Sequence, residues 1–111
     1  MDTVTPEVVD KIADAIRRAV SPVRIILFGS YTRGEAGPDS DLDFLVIEDE
    51  PFGPGRSRYR EMDRLRRATD VATVPMDILV FSSDEVEKWK DTVNHVVREA
   101  LHEGKILYER S

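Results

Sequence analysis

The 111-residue sequence contains no cysteine and no long hydrophobic run. Without cysteine it has neither disulfides nor cysteine-based metal sites, which predicts a reducing compartment. No apolar run is long enough to cross a bilayer, and no charged-then-apolar leader opens the chain. Together these absences predict a soluble cytoplasmic protein that has no membrane partner.

Positive charge is also scarce, with 16 Lys and Arg residues against 22 Asp and Glu residues and a net charge of −6. Proteins that bind nucleic acid regardless of sequence depend on many Lys and Arg contacts to phosphate, so direct nucleic-acid binding is not expected. The length suits one hydrophobic core, and we expect a single domain over residues 1–111.

The most informative stretch runs from Phe28 to Ile47 and reads FGSYTRGEAGPDSDLDFLVI. It begins at the end of an apolar run and turns at Gly29 and Ser30 before it enters a second apolar run. Glycine lets backbone N–H groups approach an anion closely, and a helix that starts at Ser30 would add its dipole. Gly29 and Ser30 therefore form a candidate phosphate-binding turn.

Two aspartates mark the second apolar run. Asp41 and Asp43 are two residues apart in a segment whose alternation suits a strand, so their carboxylates should leave the same face. Their mutual repulsion would be severe without a cation between them. Paired carboxylates suit Mg²⁺, which takes one or two carboxylates together with substrate phosphates.

A third aspartate, Asp77, lies in the apolar run from Pro75 to Phe81. An aspartate in such a run is costly to bury unless it is paired or bound to a cation. If this strand lies beside the strand of Asp41 and Asp43, three carboxylates converge at one edge of the sheet. That arrangement is typical of metal-assisted phosphoryl or nucleotidyl transfer, with one aspartate as general base and two as metal ligands.

Each of these features has a simpler interpretation when it is taken alone. Gly29 and Ser30 could form an ordinary turn. Asp41 and Asp43 could mark a solvated strand end, and Asp77 could be the exposed residue of an edge strand. Their joint occurrence in this order favours the catalytic interpretation.

The same residues carry a resemblance to a known family. Gly29-Ser30, Gly34, Ser40-Asp41-x-Asp43 and Asp77 together resemble the signature of the DNA polymerase β-type nucleotidyltransferase superfamily. The short length, the stretch GSYTRGEAGPDSDLDFLV and the ending EALHEGKILYE are similar to the minimal nucleotidyltransferases in particular. The resemblance covers nearly the whole chain and implies a polymerase β-type core without a C-terminal acceptor domain.

The resemblance also implies the chemistry and the partner. Minimal nucleotidyltransferases are usually antitoxins of HEPN-domain ribonuclease toxins, so it implies Mg²⁺-ATP-dependent transfer of AMP to a tyrosine hydroxyl of the toxin. Asp41 and Asp43 would bind Mg²⁺, while Asp77 would complete a second metal site or take the proton of the acceptor hydroxyl. The residues implied in nucleotide binding are Gly29, Ser30, Arg33 and Ser40.

An alternative function is a non-catalytic binding module that neutralises a partner toxin by occlusion. All three aspartates are present, which favours the enzyme, because a pure binding module does not need clustered carboxylates. A chain this short has no room for an acceptor domain. The acceptor must then be recognised by the small domain itself, by a second copy or by a partner, so the sequence is compatible with a homo- or hetero-oligomer.

The predicted elements alternate as helix–strand–helix–strand–helix–strand–helix, an α/β domain with a small mixed sheet flanked by helices. Thr5-Pro6 caps the first helix, and Ser82-x-x-Glu85 is a capping box that opens the last helix. Gly104 is predicted to end that helix at the C′ position. The predicted ranges are strands 23–28, 42–47 and 76–81, helices 30–34, 56–71 and 82–104, and a tail over 105–109 that is a strand or a docking segment.

Several side chains outside the motif carry secondary predictions. Arg33 is either a ligand of nucleotide phosphates or a solvated helical cation. The stripe Arg56, Arg60, Arg64 and Arg67 is either a solvated face with ion pairs to Glu61 and Asp63 or a surface for a polyanion or an acidic partner. The remaining predictions are a solvated loop at Glu48–Glu50, apolar-face positions for Tyr59, Trp89 and Val93, and surface positions for His95 and His102.

Overall fold

The computed structural model describes residues 4–34 and 41–110. Four strands form one mixed sheet in the order β3-β2-β1-β4, in which β2 and β3 are parallel and the other two pairs are antiparallel. The elements are α1 (Pro6–Ala19), β1 (Pro22–Phe28), β2 (Leu42–Glu48), α2 (Arg58–Ala68), β3 (Met76–Ser82), α3 (Ser83–Trp89), α4 (Val96–Glu103) and β4 (Lys105–Glu109). The expected α/β architecture with a small mixed sheet is confirmed.

Helices cover both faces of the sheet. On one face α1 and α2 pack through Ile12, Ile16 and Leu65, all fully buried, against alternate residues of β1 and β2. On the other face Ala100 of α4 and the partly buried Val86 of α3 pack against the remaining strand residues. Because both faces are covered, the central strands are almost continuously apolar, as the sequence predicted for the first of them.

The caps of two helices form as the sequence predicts. The Thr5 hydroxyl accepts a hydrogen bond from the Val8 N–H at 3.2 Å, and Pro6 occupies the first turn of α1. At the start of α3 the Ser82 hydroxyl accepts from the Glu85 N–H at 3.4 Å, while the Glu85 carboxylate accepts from the Ser82 N–H at 2.9 Å. Both caps are purely local patterns, which is why sequence alone locates them.

The predicted helix over 30–34 is wrong. These residues form consecutive turns in which the N–H groups of Thr32 and Arg33 both donate to the Gly29 carbonyl, at 3.2 and 3.3 Å. The predicted helix over 56–71 is also too long, because α2 spans only Arg58–Ala68. Tyr59, placed on its apolar side by the sequence pattern, is 84% exposed.

The predicted continuous helix over 82–104 is broken between Trp89 and Val96. Asn94 adopts a left-handed conformation with φ of 64°, and Val93, predicted to be buried, is 69% exposed. His95, predicted at the surface, is half-buried: its Nδ1 caps α4 by accepting the Val97 N–H at 3.1 Å. Its ring also stacks on Trp89 with centroids 4.6 Å apart.

Gly104 ends α4 as predicted, but for a different reason. Its φ is −79°, so it is not a left-handed C′ residue. A Cβ at this position would lie closer than 3.0 Å to the Ala100 carbonyl oxygen and to Cγ2 of Ile26. Glycine is therefore required here by close packing between α4 and β1.

The end of β2 remote from Asp43 contains a buried charge cluster where a solvated loop was predicted. Glu48 is only 4% exposed, and Arg56 donates to its carboxylate and to that of Glu61. Arg56 precedes α2, so the predicted stripe of four helical arginines does not form. Arg67, the last member of that stripe, pairs with Asp63 at 2.9 Å, as expected if this face is solvated and carries ion pairs.

Within the described residues, none of the helices has the length and apolar composition that crossing a membrane requires.

Candidate active site

The register of the sheet brings the sequence-predicted residues to one end of it. Phe28, the last residue of β1, is the register partner of Asp43 on β2, and Asp43 is in turn the register partner of Asp77 on β3. Because adjacent strands lie about 4.8 Å apart, the two aspartates are neighbours on one face. The condition on which the three-aspartate prediction depended, that β3 lies beside β2, is met.

A pocket of about 550 Å³ opens at this end of the sheet. Its size lies in the range of small-ligand sites, roughly 300–1,000 Å³. The residues that line it are Phe28, Gly29, Ser30, Arg33, Asp43, Met62, Arg66, Met76, Asp77, Ile78, Leu79, Val96 and Glu99. The pocket therefore contains charged groups of both signs and an apolar wall.

Gly29 lies directly against the Asp43 carboxylate. Its φ is +87°, and a Cβ at this position would lie closer than 3.0 Å to Oδ2 of Asp43. The Gly29 carbonyl is fully engaged, since it accepts from the N–H groups of Thr32 and Arg33 and from the Thr32 hydroxyl at 2.9 Å. Only glycine can bring the backbone this close to the carboxylate in this conformation.

Asp43 is in a strongly anionic environment. Burial, followed by the charges of Asp77 and Asp41, raises the pKa of the Asp43 carboxyl above its ordinary value, and Arg33 opposes the rise. Asp41 precedes β2 and is exposed, as is Asp77. The carboxylates are thus close enough to repel one another and are open to solvent on one side.

The donor set fits a hard divalent cation. Among residues 4–34 and 41–110 no group of three His, Cys, Asp or Glu side chains is gathered tightly enough to hold a metal by itself. Mg²⁺, however, is usually held by one or two carboxylates and completed by substrate phosphates and water. The adjacent pair Asp43 and Asp77, together with the charge of Asp41, provides carboxylates of this kind.

Arg33 lies in the pocket and is also paired with α4. One of its guanidinium nitrogens, Nη1, is 3.3 Å from Oε1 of Glu99 and 3.3 Å from Oε2 of Glu103. Arg33 is therefore not an isolated solvated cation, and its part as a ligand of nucleotide phosphates stays a prediction. Ser40 lies outside the described residues.

Sequence reasoning missed the contributions of the helices to the pocket. Arg66 and Met62 come from α2, while Glu99 and Val96 come from α4. The spacing of Met62 and Arg66 shows that they share one helix face. Nothing in the sequence says that this face reaches the end of the sheet, since that depends on how α2 packs.

A family model described as Nucleotidyltransferase domain matches residues 9–108. The chain belongs to this nucleotidyltransferase family. Consistently, it is 32% identical over 85 residues to a Methanocaldococcus jannaschii protein named as a putative protein adenylyltransferase, an alignment that covers 77% of each chain. The domain is therefore a homologue of a protein that carries this name, and the expected family membership is confirmed.

The fold matches solved structures as well. A chain in a crystal structure of a toxin–antitoxin with AMP-PNP superposes with a TM-score of 0.58 at 22% identity, covering 92% of this nucleotidyltransferase and 73% of that chain. A chain in a structure of tri-AMPylated Shewanella oneidensis HEPN toxin in complex with MNT antitoxin gives 0.54 at 19% identity, covering 94% and 71%. At these identities the likeness establishes the nucleotidyltransferase fold.

Proposed function

We propose that this nucleotidyltransferase transfers AMP from Mg²⁺-ATP to a tyrosine hydroxyl of a HEPN ribonuclease toxin and thereby acts as its antitoxin. The observation that carries the proposal is the contact of Gly29 with Asp43, beside the register pair Asp43 and Asp77. It places a turn suited to phosphate next to carboxylates suited to a divalent cation. A binding module that acted by occlusion alone would gain nothing from this costly arrangement.

Each motif residue has a defined part in the proposed reaction. Gly29 and Ser30 present backbone and hydroxyl donors to the polyphosphate. Asp41 and Asp43 hold the cation, and Asp77 accepts the proton of the incoming hydroxyl or completes a second metal site. The tyrosine oxygen then bonds to the α-phosphorus, and the bond to the β-phosphate oxygen breaks to release pyrophosphate.

Bound Mg²⁺ would neutralise charge on the polyphosphate and on the leaving pyrophosphate. The chain's own contribution is the placement of the carboxylates. Burial and neighbouring like charges raise the pKa of Asp43. The positive charge of a bound cation would favour the ionised form of this carboxyl. A divalent cation would therefore fit this site, because its charge would offset a repulsion among the carboxylates that the described residues leave in place.

Homology and fold similarity both support a HEPN toxin as the partner. The domain is homologous to a putative protein adenylyltransferase, and a chain of the same fold occurs in the complex that contains a tri-AMPylated HEPN toxin. A hetero-oligomer with the toxin follows from the proposal, since the acceptor must dock on this small domain.

Intact-mass spectrometry tests the proposal. The protein encoded by the neighbouring gene would be incubated with this domain, ATP and Mg²⁺. We expect a mass gain of one or more AMP units that is lost with the Asp41→Ala, Asp43→Ala double variant. The matched control Asp70→Asn, at an exposed position outside the pocket lining, should behave as wild type.

The contrary outcome is also specific. If the neighbouring protein forms a stable complex with the domain and is silenced without any mass gain, the occlusion mechanism replaces nucleotidyl transfer. Silencing by the double aspartate variant would lead to the same conclusion.

A further inference from the structure

The pocket extends across the sheet in the order of the strands. Gly29 and Ser30 follow β1, Asp43 is on β2, and Asp77 is on the edge strand β3. The lining also includes residues of α2, which packs on the face of the sheet opposite to the two aspartates, so the pocket passes around the β3 edge. The phosphate-binding turn and the edge strand β3 are therefore separated by about two strand spacings, on the order of 10 Å. If the nucleotide phosphates lie at the Gly29 end, the other end is left for a second reactant.

Asp77 lies between the Gly29 end of the pocket and the end lined by α2. A general base must be within hydrogen-bond reach of the hydroxyl that it deprotonates. With Asp77 in the role of general base, the acceptor hydroxyl lies at Asp77 and the rest of the acceptor extends from it. The nucleotide end is occupied in the proposed reaction, so the acceptor extends toward α2.

The edge of β3 is open where it passes Asp77. The Pro75 carbonyl points inward, toward β2, since it accepts the Leu42 N–H at 3.0 Å. The Val80 carbonyl points outward, away from β2, and accepts from Arg58 at 2.5 Å. Main-chain groups alternate along a strand, so those of Ile78 point outward as those of Val80 do. Within residues 4–34 and 41–110 no hydrogen bond reaches the outward groups of Ile78, and an open strand edge is a template for another strand.

A positively charged side chain, that of Arg66, lies near this open edge. Arg66 of α2 lines the pocket, is exposed, and has no carboxylate partner in the described part of the chain. Its neighbour Arg67 lies outside the pocket lining and pairs with Asp63 at 2.9 Å. Arg33, the other cation of the pocket, is shared with two glutamates. Arg66 is therefore the arginine best placed to meet an anionic group at this end.

We infer that α2 and the open edge of β3 form the acceptor subsite, which takes an extended polypeptide segment whose tyrosine reaches Asp77 and whose nearby acidic group pairs with Arg66. The main chain of the segment would pair with the outward groups of Ile78, as in strand addition to a sheet edge. Apolar side chains of the segment would contact Met62 and Met76. This inference rests on the proposed nucleotidyl transfer.

Synthetic peptides test the subsite directly. Each would carry a central tyrosine among alanines, with a single Glu, Gln or Lys at one of the flanking positions, and AMP addition would be followed by mass spectrometry. At the favoured position we expect the Glu peptide to react with kcat/KM about tenfold above the Lys peptide, since one charge-assisted hydrogen bond separates them. Arg66→Glu should reverse this order, while the matched control Arg67→Glu should preserve it.

Two further measurements separate the subsite from the nucleotide site. Titration with a non-hydrolysable ATP analogue and Mg²⁺ should give the same affinity for Arg66→Ala as for wild type, within about twofold. Two peptides would be N-methylated beside the tyrosine, one on the odd-numbered amides and one on the even-numbered amides. Only one of them should lose reactivity, because only one set of amides faces β3 in strand pairing.

The outcomes are distinguishable. Reaction of the peptides with no charge preference, or a preference that Arg66→Glu leaves unchanged, overturns the subsite but leaves nucleotidyl transfer standing. Loss of nucleotide affinity in Arg66→Ala also overturns it, because Arg66 would then belong to the nucleotide. Reaction with no peptide at all, by a domain that binds the nucleotide and modifies the whole neighbouring protein, overturns the subsite alone. Absence of AMP addition to both the peptides and the whole protein contradicts the transfer to protein tyrosine as well.

Discussion

The backbone of Gly29 lies against the carboxylate of Asp43, with no room for a side chain between them. Gly29 follows β1 and Asp43 lies on β2, so their contact joins the turn after β1 to the centre of the candidate site. It fixes where a phosphate bound by the turn would lie relative to a cation bound by the carboxylate. The geometry of the site thus depends on the absence of one methyl group.

Gly29→Ala should abolish the site while the similar change Gly34→Ala should not. Both glycines have positive φ, of 87° and 73°, so each substitution should cost about 1–2 kcal/mol of unfolding free energy. Only at Gly29 does a Cβ collide with Asp43, whereas the space at Gly34 is open. Displacement of the carboxylate by about 1 Å would lower AMP transfer on the order of 100-fold.

Chemical denaturation and an AMP-transfer assay on both variants check this prediction. Equal loss of activity in the two variants would mean that the left-handed conformation, and not the contact with Asp43, matters.

Asp43→Asn should stabilise the domain while it removes activity. Burial and the charges of Asp77 and Asp41 raise the pKa of Asp43, so the ionised carboxyl destabilises the fold. The cost is absent below the ordinary pKa of an aspartate, near 4, and develops as pH rises through the raised value. Without Mg²⁺, we expect the variant to unfold at a higher denaturant concentration than wild type at neutral pH, with no difference at about pH 3.

AMP transfer measured beside stability completes this test. Loss of a carboxylate that binds the cation should lower the rate by at least about 100-fold. A variant that is both less stable and inactive at neutral pH would show that Asp43 is held by favourable contacts and not against repulsion.

Glu48 should make the stability of the domain depend on pH. Burial, and then the neighbouring Glu61, raise the pKa of Glu48 to about 7, against the pull of Arg56. Its folded pKa exceeds its unfolded value, so stability is full below about pH 4.5 and is lost as pH rises through 7. From about pH 5 to pH 8 we expect a loss on the order of 2–3 kcal/mol in unfolding free energy.

Glu48→Gln should flatten that pH dependence. The matched control Glu50→Gln removes an exposed carboxylate that also pairs with Arg56, at 3.2 Å, and should leave the pH dependence as in wild type. Urea unfolding across the pH range measures both. If Glu48→Gln kept the full pH dependence of the unfolding free energy, that dependence would come from another titrating group.

Gly104→Ala should destabilise the domain through close packing. A Cβ there would collide with the Ala100 carbonyl oxygen and with Ile26, so we expect a loss of roughly 1–3 kcal/mol. Gly55→Ala, where the space is open, should change the unfolding free energy by less than about 0.5 kcal/mol. Similar losses in both variants would contradict the packing explanation.

The parts of the fold that sequence predicted are those set by short-range patterns. The cap at Thr5 and the box at Ser82 depend on residues three apart. The shared face of Asp43 and its neighbours depends on the two-residue period of a strand. The position of Asp77 beside Asp43 was only a condition of the prediction, and the parallel pairing of β3 with β2 meets it.

The parts that sequence could not predict depend on tertiary contacts. Arg56 leaves the helical stripe because buried carboxylates of Glu48 and Glu61 hold it before α2 begins. The last helix breaks because the ring of His95 can both cap α4 and stack on Trp89, an arrangement that the apolar period does not reveal. The contribution of Arg66 to the candidate site likewise depends on the packing of α2.

The pairing of β1 with β4 has a consequence for how the domain is made. Arg24 is the register partner of Glu109, so the strand that follows the first helix is completed by residues synthesised about eighty positions later. Until the segment Lys105–Glu109 is available, β1 presents an unpaired apolar edge of the kind that recruits other chains. Folding must therefore wait for a distant contact, and we expect slow closure of the sheet and aggregation of nascent chains that stall before it.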